Sequence, residues 1–519
     1  MKDRVFSSNR RLGVESLEAR RVLAAVAVGE AFPLSDFVSS HQRLAESADN
    51  ATELASGNFA AAYEGRGVVD REGVFVGFTD AAGRATGSSI RLNQTLKGAQ
   101  RQAALAALPG GGFVAVWSGR GRGDHNGVYV RLFDAQGAPQ SDEILANATI
   151  GGIQQEPSAA VRADGSFTVV WSGVGEGDDQ GVFLRRFSAA GVPQAGEVLV
   201  NTTTIREQQS PRIAIAADGS ETIVWSGLDS AGQAGVFGRR FDSAGNPRDS
   251  EFSLQEQSAT TFGKTALAGR DDGRFLAVWS GWDGASWNVS GRLFDAAGAA
   301  TSSEIDIAAS GPIRPAPQAE IRSDGQFTVA WSAAAEGARD ADALARQFDA
   351  AGTPLAEAFS LSEAVFGPQQ APALAMNSRG DFAAFWSSYD ATDRFGVSAR
   401  WFAEGSPVNE LNLETIPDQL ATVDQLWETT VDLAGFDPGG NVTFLLDPES
   451  AALGIGIEKQ DSDTARLFWT PAAGEEGSYE VIVLVSDDSS PPQVDSERFT
   501  LTVATGSGEG EGEGVCRAK

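Results

Sequence analysis

The amino-acid sequence predicts an all-β protein, a seven-bladed β-propeller followed by a β-sandwich. Three observations predict this fold class. A Trp-Ser dipeptide recurs at nearly constant spacing through the first four hundred residues. A glycine-containing turn motif recurs in the same register, which is typical of propellers and solenoids. A segment of about ninety residues then follows without the repeat, and it alternates between short apolar strands and turns.

Composition bounds the number of domains and the partners. The 519 residues are too many for one ordinary core, so we expect at least two domains. Seventy acidic against forty basic residues give a net charge of −30, which repels phosphate backbones and anionic lipid. We therefore expect no nucleic-acid partner. The single cysteine, Cys516, excludes an internal disulfide and a cysteine-based metal cluster, and no apolar run is long enough for a transmembrane helix.

The N-terminal residues 1–28 have the layout of an export signal. A basic stretch ends at Arg21, and a short apolar run, 22–28, follows it. Residues 15–25, Glu-Ser-Leu-Glu-Ala-Arg-Arg-Val-Leu-Ala-Ala, resemble the LEPR export motif of planctomycete secreted proteins, with Ala19 in the place of the family's proline. This resemblance implies an extracellular or cell-surface location. The alternative is a basic N-terminal tail without a targeting role.

The repeat occupies residues 29–407 in our domain division. The Trp-Ser dipeptides begin at Trp117, Trp171, Trp225, Trp279, Trp331 and Trp386. Their spacings are 54, 54, 54, 52 and 55 residues, and a further step of 54 back from Trp117 reaches Tyr63. A turn glycine recurs in register at Gly83, Gly137, Gly191, Gly245, Gly298, Gly352 and Gly405. The chain therefore contains seven copies, the first with tyrosine in the tryptophan position.

Each copy is predicted to form four short strands, a to d. Strand a is small and apolar, as at 213–215, and an Asp-Gly turn such as 218–219 connects it to strand b. Strand b has the pattern Phe-x-Val-x-Trp, as at 167–171, and is apolar on both faces, so both faces must be covered. A sheet between two other sheets is a propeller blade. A β-solenoid is the main alternative, but its coils are usually shorter.

The repeat resembles the Trp-Ser/Phe-Asp repeats of large bacterial surface proteins, and this implies a surface or secreted protein rather than a particular reaction. Residues 29–35 also resemble the strand d segment 356–362 of a later copy. We therefore predict that residues 30–36 supply the outer strand of the last blade, beside 397–402. Such pairing would close the ring and remove two sheet edges.

Residues 408–504 are predicted to form the second domain, a β-sandwich. The stretches 416–419, 433–437, 468–471, 477–481 and 485–488 resemble cadherin-like or Ig-like modules of bacterial surface proteins. The remaining residues, 505–519, begin with a run of alternating Gly and Glu and are predicted to be a flexible acidic tail.

The loops between strands b and c are rich in aspartate. The residues concerned are Asp70, Asp124, Asp178, Asp229, Asp283, Asp340 and Asp390. Equivalent loops of all blades emerge on one face of a propeller, so a ring of carboxylates there could hold Ca²⁺ or receive a basic partner. The alternative is that these aspartates only form solvated turns.

One arginine recurs in strand c of six copies. These residues are Arg131, Arg185, Arg239, Arg292, Arg346 and Arg400. A catalytic group is rarely needed six times, so we interpret them as structural and expect them to pair with the aspartates of the Phe-Asp motif, such as Asp134 and Asp242.

The candidate ligand-binding residues are Trp282, Trp287 and Asp283, which lies between the two tryptophans in the sequence. Both tryptophans lie in the b–c loop of the fifth copy, outside the repeated tryptophan position. An exposed tryptophan pair can stack on the apolar faces of sugar rings. Packing against a neighbouring loop is the alternative.

A calcium site is predicted in the second domain at Asp437, Asp487 and Asp488. These residues follow strands, and cadherin-like modules gather such loops at one pole. Carboxylate oxygens suit Ca²⁺, and a divalent ion would relieve repulsion between clustered carboxylates. The alternative is again that they form turns.

These observations predict a secreted or cell-surface binding or adhesion protein that is not an enzyme, with a surface glycan or a protein as its ligand. The alternative is a carbohydrate-active enzyme, a glycoside hydrolase or a lyase, with its site in the propeller channel. The lining of that channel discriminates between the two, because several convergent Asp, Glu and Arg side chains favour the enzyme.

Overall fold

The structure is a computed structural model, and the chain divides into two compact units, Met1–Glu404 and Gly405–Lys519. The residues that it describes are 25–35, 42–46, 49–67, 69–81, 84–334, 341–362, 367–389, 395–403, 413, 416–433, 442–460, 464–487 and 494–505. Almost all of the regular structure is β-strand, so the prediction of an all-β fold is confirmed.

The first unit contains seven small antiparallel sheets in its described part, numbered here by the chain order of their inner strands. Sheet 1 comprises Gln42–Arg43, Ala51–Glu53, Phe59–Gly65, Gly73–Thr79 and Ile90–Arg91. Sheet 2 comprises Gln100–Ala107, Phe113–Gly119, Gly127–Phe133 and Ile144–Leu145. Sheet 3 comprises Gln154–Val161, Phe167–Gly175, Asp178–Phe187 and Val198–Leu199. In sheets 2 and 3 these strands are a, b, c and d, paired in that order.

Sheets 4 to 7 repeat the pattern. Sheet 4 comprises Gln209–Ile215, Glu221–Leu228, Ala234–Phe241 and Phe252–Ser253. Sheet 5 comprises Thr261–Gly269, Phe275–Trp282, Trp287–Phe294 and Ile305–Gly311. Sheet 6 comprises Gln318–Ile321, Phe327–Ala334, Ala341–Phe348 and Phe359–Ser360. Sheet 7 comprises Gln369–Met376, Phe382–Ser388, Gly396–Ala403 and the N-terminal strand Val26–Pro33.

The a strands pack against one another in cyclic order. Strand a of each sheet contacts strand a of the next, and that of sheet 7 contacts Ala51–Glu53 of sheet 1. A closed circle of inner strands surrounds an axis, as in a β-propeller. The first unit is therefore propeller-like.

The repeated aromatic residues form the cores between sheets. All six tryptophans of the Trp-Ser motif are at most 1 % exposed. Trp225 also donates from Nε1 to Gln208 Oε1 at 3.1 Å, and Trp117 makes the same bond to Gln100. In five of the seven sheets, phenylalanines of strands b and c stack in parallel across the hairpin, as Phe113 and Phe133 do at 5.0 Å between ring centroids. The packing of these aromatic residues therefore repeats with the same period as the sequence.

The N-terminal strand closes the ring. Phe32 pairs with Ala399 and Pro33 with Ser398, which confirms the predicted pairing of this segment with strand c of the last sheet. The strand begins earlier than expected, at Val26, and Val28 pairs with Trp401. It therefore includes three residues that we assigned to the export signal.

The repeated arginines link neighbouring sheets, but the predicted ion pairs with the Phe-Asp aspartates are wrong. Arg131 donates from Nε to Ser141 O at 2.9 Å and from Nη1 to Leu92 O, in the preceding sheet, at 3.0 Å. Asp134 instead accepts backbone N–H bonds in its own turn, from Ala138 at 2.7 Å and Gln136 at 3.1 Å. A guanidinium can satisfy carbonyls in two directions at once, whereas a short aspartate reaches only its own turn.

The second unit contains two sheets and a short helix in its described part. One sheet comprises Gln419–Thr422, Val494–Ala504, Gly477–Asp487 and Val442–Leu446, in that order. The other comprises Trp427–Asp432, Thr464–Trp469 and Gly456–Lys459, and the helix is Pro448–Ala452. Inward-facing residues of both sheets, including Val431, Leu467 and Val483, form one core. Among the described residues, no helix is long and apolar enough to span a membrane.

Candidate functional site

A β-bulge interrupts strand a in most sheets, close to where that strand begins. The pairing of strands a and b shifts there in sheets 2, 3, 4, 5 and 7. In four of these sheets a residue other than glycine has positive φ at the bulge: Gln102 (56°), Glu156 (55°), Ser210 (56°) and Ala371 (50°). Such residues are uncommon, and bulges often re-aim a side chain beside a binding site. Lys264 is the residue at the corresponding position of sheet 5.

The serine of the Trp-Ser motif holds the bulge residue. Ser118 donates to Gln102 Oε1 at 2.7 Å, Ser172 contacts Glu156 Oε2 at 3.4 Å, and Ser280 accepts the N–H of Lys264 at 2.9 Å. The dipeptide therefore combines two tasks: its tryptophan fills the core, and its serine fixes a side chain near the axis.

A relay of hydrogen bonds runs from sheet to sheet around the axis. Glu64 of sheet 1 accepts the N–H of Gln102 at 3.2 Å, and Gln102 accepts the N–H of Glu156 at 3.0 Å. Glu156 then accepts the N–H of Ser210 at 2.6 Å. Each bulge residue thus orients the next one, and four sheets are coupled at this end of the ring.

Several charged side chains meet residues of sheets that are not neighbours in the ring, and such contacts are possible only across a central channel. Lys264 of sheet 5 forms an ion pair with Glu156 of sheet 3, and both side chains are largely buried. Burial raises the pKa of Glu156, but Lys264, the Ser210 N–H and Arg212 outweigh it, so that its pKa lies below the ordinary value. Glu156 is therefore a carboxylate that holds Lys264 in place.

A second group crosses the channel between sheets 4 and 1. Arg212 Nε lies 3.3 Å from Asp49 Oδ1, and Ser158 donates to Asp49 Oδ2 at 2.6 Å. The side chain of Arg212 is 1 % exposed, and its Nη2 has no hydrogen-bond partner among the described residues. A buried guanidinium nitrogen without a partner marks a place where a ligand group or water is needed.

Glu320 of sheet 6 faces the same region. Burial, followed by the charges of Asp49 and Glu53 across the channel, raises the pKa of Glu320 to about 8. Its side chain is only half-buried by surface area, so it remains in contact with the channel space. At neutral pH Glu320 is therefore mostly a protonated acid that a ligand in the channel could reach.

A cavity of about 910 Å³ opens at the end of the channel where the bulges lie. Its lining includes Arg43, Arg101, Arg120, His125 and Lys264. Ligand pockets in proteins range from about 300 to 1,000 Å³, so this cavity is large enough to hold a ligand.

Sequence reasoning missed these residues, although a signal for them existed. Eleven residues before the repeated aromatic residue, five copies have alanine and the first has Thr52, whereas the sixth has Glu320. Arg212 similarly takes a position that is alanine in three copies. Charged residues in an otherwise alanine-rich inner strand were the deviations to look for.

The residues that we proposed for ligand binding form a hairpin end on sheet 5. Trp282 and Trp287 pair across it with ring centroids 5.8 Å apart, and the Arg314 guanidinium lies 5.6 Å from the Trp287 ring. Asp283 accepts bonds from Ala285 N at 2.7 Å and Ser286 N at 2.9 Å, and these bonds lower its pKa to about 2. Asp283 thus caps its own turn, while both tryptophans are half-buried.

The other acidic candidates fall into two groups. Asp70, Asp124 and Asp178 are buried and accept bonds from Asn93, Asn147 and Asn201 respectively, as parts of a repeated loop structure. Asp340, Asp390, Asp437 and Asp488 lie outside the described residues, and Asp487 ends a strand opposite Val442. No group of three metal-ligating side chains occurs among the residues that the structure describes, and the calcium site in the second unit stays a prediction.

No protein-family model matches this chain, and no curated protein matches it. Solved structures with similar folds include a protein of unknown function from Dyadobacter fermentans, with 11 % identity and a TM-score of 0.43 over 60 % of this chain and 97 % of that one. A polysaccharide lyase described as an ulvan lyase has 8 % identity and a TM-score of 0.48, over 72 % and 96 % of the two chains. The NanB sialidase of Streptococcus pneumoniae has 10 % identity and a TM-score of 0.40, over 72 % and 70 %.

The prediction that this chain is not an enzyme is contradicted by these findings. Similar structures whose descriptions name an activity are polysaccharide lyases, an arabinase, arabinofuranosidases and a sialidase. The charged groups replace small residues within the inner strands, as Glu320 replaces the alanine that five other copies have.

Proposed function

We propose that this chain is a carbohydrate-active enzyme, a glycoside hydrolase or a lyase, whose site lies in the channel of a seven-bladed β-propeller. The observation that carries the proposal is that Arg212 and Asp49 from two non-adjacent sheets form an ion pair, and that the charge of Asp49 also acts on Glu320 of a third sheet. Such convergence of Glu, Asp and Arg is the arrangement that favours the enzyme over a binding protein.

The two carboxyl groups have different environments. Glu320 retains its proton at neutral pH because it is buried near other carboxylates. Asp49 instead accepts a hydrogen bond from Ser158 and faces the Arg212 guanidinium. Glycoside hydrolysis uses two carboxyl groups, one as the acid that protonates the leaving oxygen and one as base or nucleophile. We assign the acid role to Glu320 and the second role to Asp49.

Arg212 is assigned the task of holding Asp49 in place, since its own side chain is only 1 % exposed and its Nε lies 3.3 Å from Asp49 Oδ1. Trp282 and Trp287 are proposed as an outer stacking surface for further sugar rings.

We also propose that the protein is exported and acts outside the cell or at its surface, and that the second unit is a cadherin-like sandwich. The basic and apolar N-terminal segment and the quoted resemblances support these proposals.

The test is a screen of polysaccharides with the purified full chain. Cleavage is measured in two ways, as the formation of new reducing ends and as the absorbance of unsaturated sugars. New reducing ends without unsaturation indicate a hydrolase, and both together indicate a lyase. Glu320→Gln and Asp49→Asn should each reduce the rate at least about 100-fold, which is the low end for acid–base groups. Arg84→Gln, in a turn after strand c of sheet 1, is the control. Full activity of both channel variants would contradict the proposed site.

A further inference from the structure

We propose that the cavity at the bulge end of the channel selects an acidic polysaccharide, one that carries uronate or sulfate groups, and that Arg101 and Arg120 bind those groups. This inference rests on the proposed function and names the class of its substrate.

The charge of the cavity is opposite to that of the whole chain. The chain has seventy acidic and forty basic residues, whereas the cavity lining has four Arg or Lys residues, one histidine and two glutamates. A concave site with a net charge of one sign concentrates ligands of the opposite sign. The other carboxylates of the surface act weakly on a bound ligand, because salt screens exposed charges beyond about 8 Å at physiological ionic strength.

Two of these cations are already paired. Lys264 binds Glu156, and Arg43 donates from Nε to Glu64 Oε1 at 2.7 Å. The guanidinium groups of Arg101 and Arg120 have no ion pair or hydrogen bond among the described residues, and Glu46 is the one remaining carboxylate of the lining. The free positive charge of the cavity therefore belongs to the two arginines of sheet 2.

The repeat holds Arg120 in position. Gln100 accepts the Trp117 N–H at 3.1 Å and donates to Arg120 O at 2.6 Å, so the buried tryptophan anchors the arginine backbone. The side chain of Arg120 lies against Gly98, where a Cβ would approach Arg120 Cδ to 2.8 Å. Gly98 leaves the space that the arginine needs.

The residue at the position of Arg120 differs from sheet to sheet, although the Ser-Gly dipeptide before it recurs in four of the seven copies. Three residues after the repeated aromatic residue, the seven copies have Arg66, Arg120, Val174, Leu228, Trp282, Ala334 and Tyr389. This variable position makes the rim asymmetric, with arginine in sheets 1 and 2 and aromatic residues in sheets 5 and 7. A planar guanidinium matches the two oxygens of a carboxylate or sulfate better than any other side chain.

The test uses ligands that differ only in charge. Binding of the full chain is measured by fluorescence anisotropy with labelled polygalacturonate against its methyl ester, and with dextran sulfate against dextran. We expect binding to at least one charged polymer and at least tenfold weaker binding to its neutral partner. Binding to polygalacturonate alone identifies uronate recognition, and binding to dextran sulfate alone identifies sulfate recognition.

The variant Arg101→Gln/Arg120→Gln should bind the charged polymer at least tenfold more weakly. The control Arg84→Gln/Arg274→Gln removes the same charge from exposed turns at the ends of strands a and c and should bind as the wild type does. Equal binding of charged and neutral polymers, no binding to either charged polymer, or equal losses in both double variants would overturn the inference. If the chain cleaves a neutral glycan but does not bind charged polymers, the inference about acidic substrates is overturned and the proposed enzymatic function stands. If it binds a charged polymer but cleaves no glycan, the inference stands and the proposed enzymatic function is overturned.

Discussion

The hairpins of the seven sheets and their inner strands follow opposite rules. In strands b and c the same residue types recur in nearly every copy, and they are buried tryptophans, stacked phenylalanines and arginines bonded to backbone carbonyls. In strand a the bulge residues differ from copy to copy, as Gln102, Glu156 and Lys264 do. Repetition of the sequence therefore maintains the fold, and exceptions to the repeat assemble the site.

The structural role of the repeated tryptophans in the hairpins is tested by Trp225→Ala. This side chain is fully buried and hydrogen-bonded to Gln208. We expect the free energy of unfolding to fall by about 3–5 kcal/mol, as for other large core truncations. Chemical denaturation measures the change. The matched control, Trp282→Ala, removes a half-buried tryptophan outside the repeated position and should cost clearly less; equal losses would contradict the distinction.

The role of the bulge residues in the inner strands is tested by Lys264→Met. This change leaves the buried carboxylate of Glu156 without its cation, and removing one partner of a buried pair costs about 3–5 kcal/mol. In Glu156→Gln/Lys264→Met both charges are absent, so most of that loss should be recovered. If the double variant is as unstable as the sum of its single variants, the ion pair does not have this role.

The role of the N-terminal strand in closing the ring is tested by comparing a residue on its packed face with one on its exposed face. Ala27 packs against the core between sheets 6 and 7, whereas Val28 is 46 % exposed. Ala27→Asp should lower the free energy of unfolding by about 1–3 kcal/mol, because a charge is placed against apolar neighbours. Val28→Asp should be nearly neutral. The same effect of both substitutions would show that this strand does not seal the ring.

The smallest effect concerns the second unit, which lacks the repeat. If Asp437 contributes to a calcium site, Ca²⁺ should raise the melting temperature of the full chain by a few degrees in a second transition. Asp437→Ala should abolish that rise. The absence of any calcium effect in the wild type would remove the site.

The sequence predicted the parts of the fold that repeat. The Asp-Gly turn at Asp218 has Gly219 at φ 80°, as the predicted turn requires, and Phe32 pairs with Ala399 as the closure prediction required. It did not predict the bulges, because they depend on the crowding of strands around an axis rather than on local propensity. The partners of Arg131 were wrong for a similar reason, since backbone carbonyls carry no sequence signal.

The site was the least predictable part. Glu320 and Asp49 lie 271 positions apart in the chain, and only the closed ring brings them near each other. When the seven copies are compared with one another, Glu320 stands out because five of the other copies have alanine at its position. Its raised pKa, however, follows only from its surroundings in the channel.

The most direct test combines the stability and the activity of Glu320→Gln over a range of pH. Because the folded-state pKa of about 8 lies above the ordinary value of 4.5, the unfolded chain loses this proton first, and unfolding free energy should fall between pH 4.5 and 8. The variant should lose that part of the pH dependence and be at least as stable as the wild type at pH 8. Its rate on the substrate should be at least about 100-fold lower. A variant that retains both the activity and the pH dependence of the wild type would contradict the claim that this exception to the repeat forms the site.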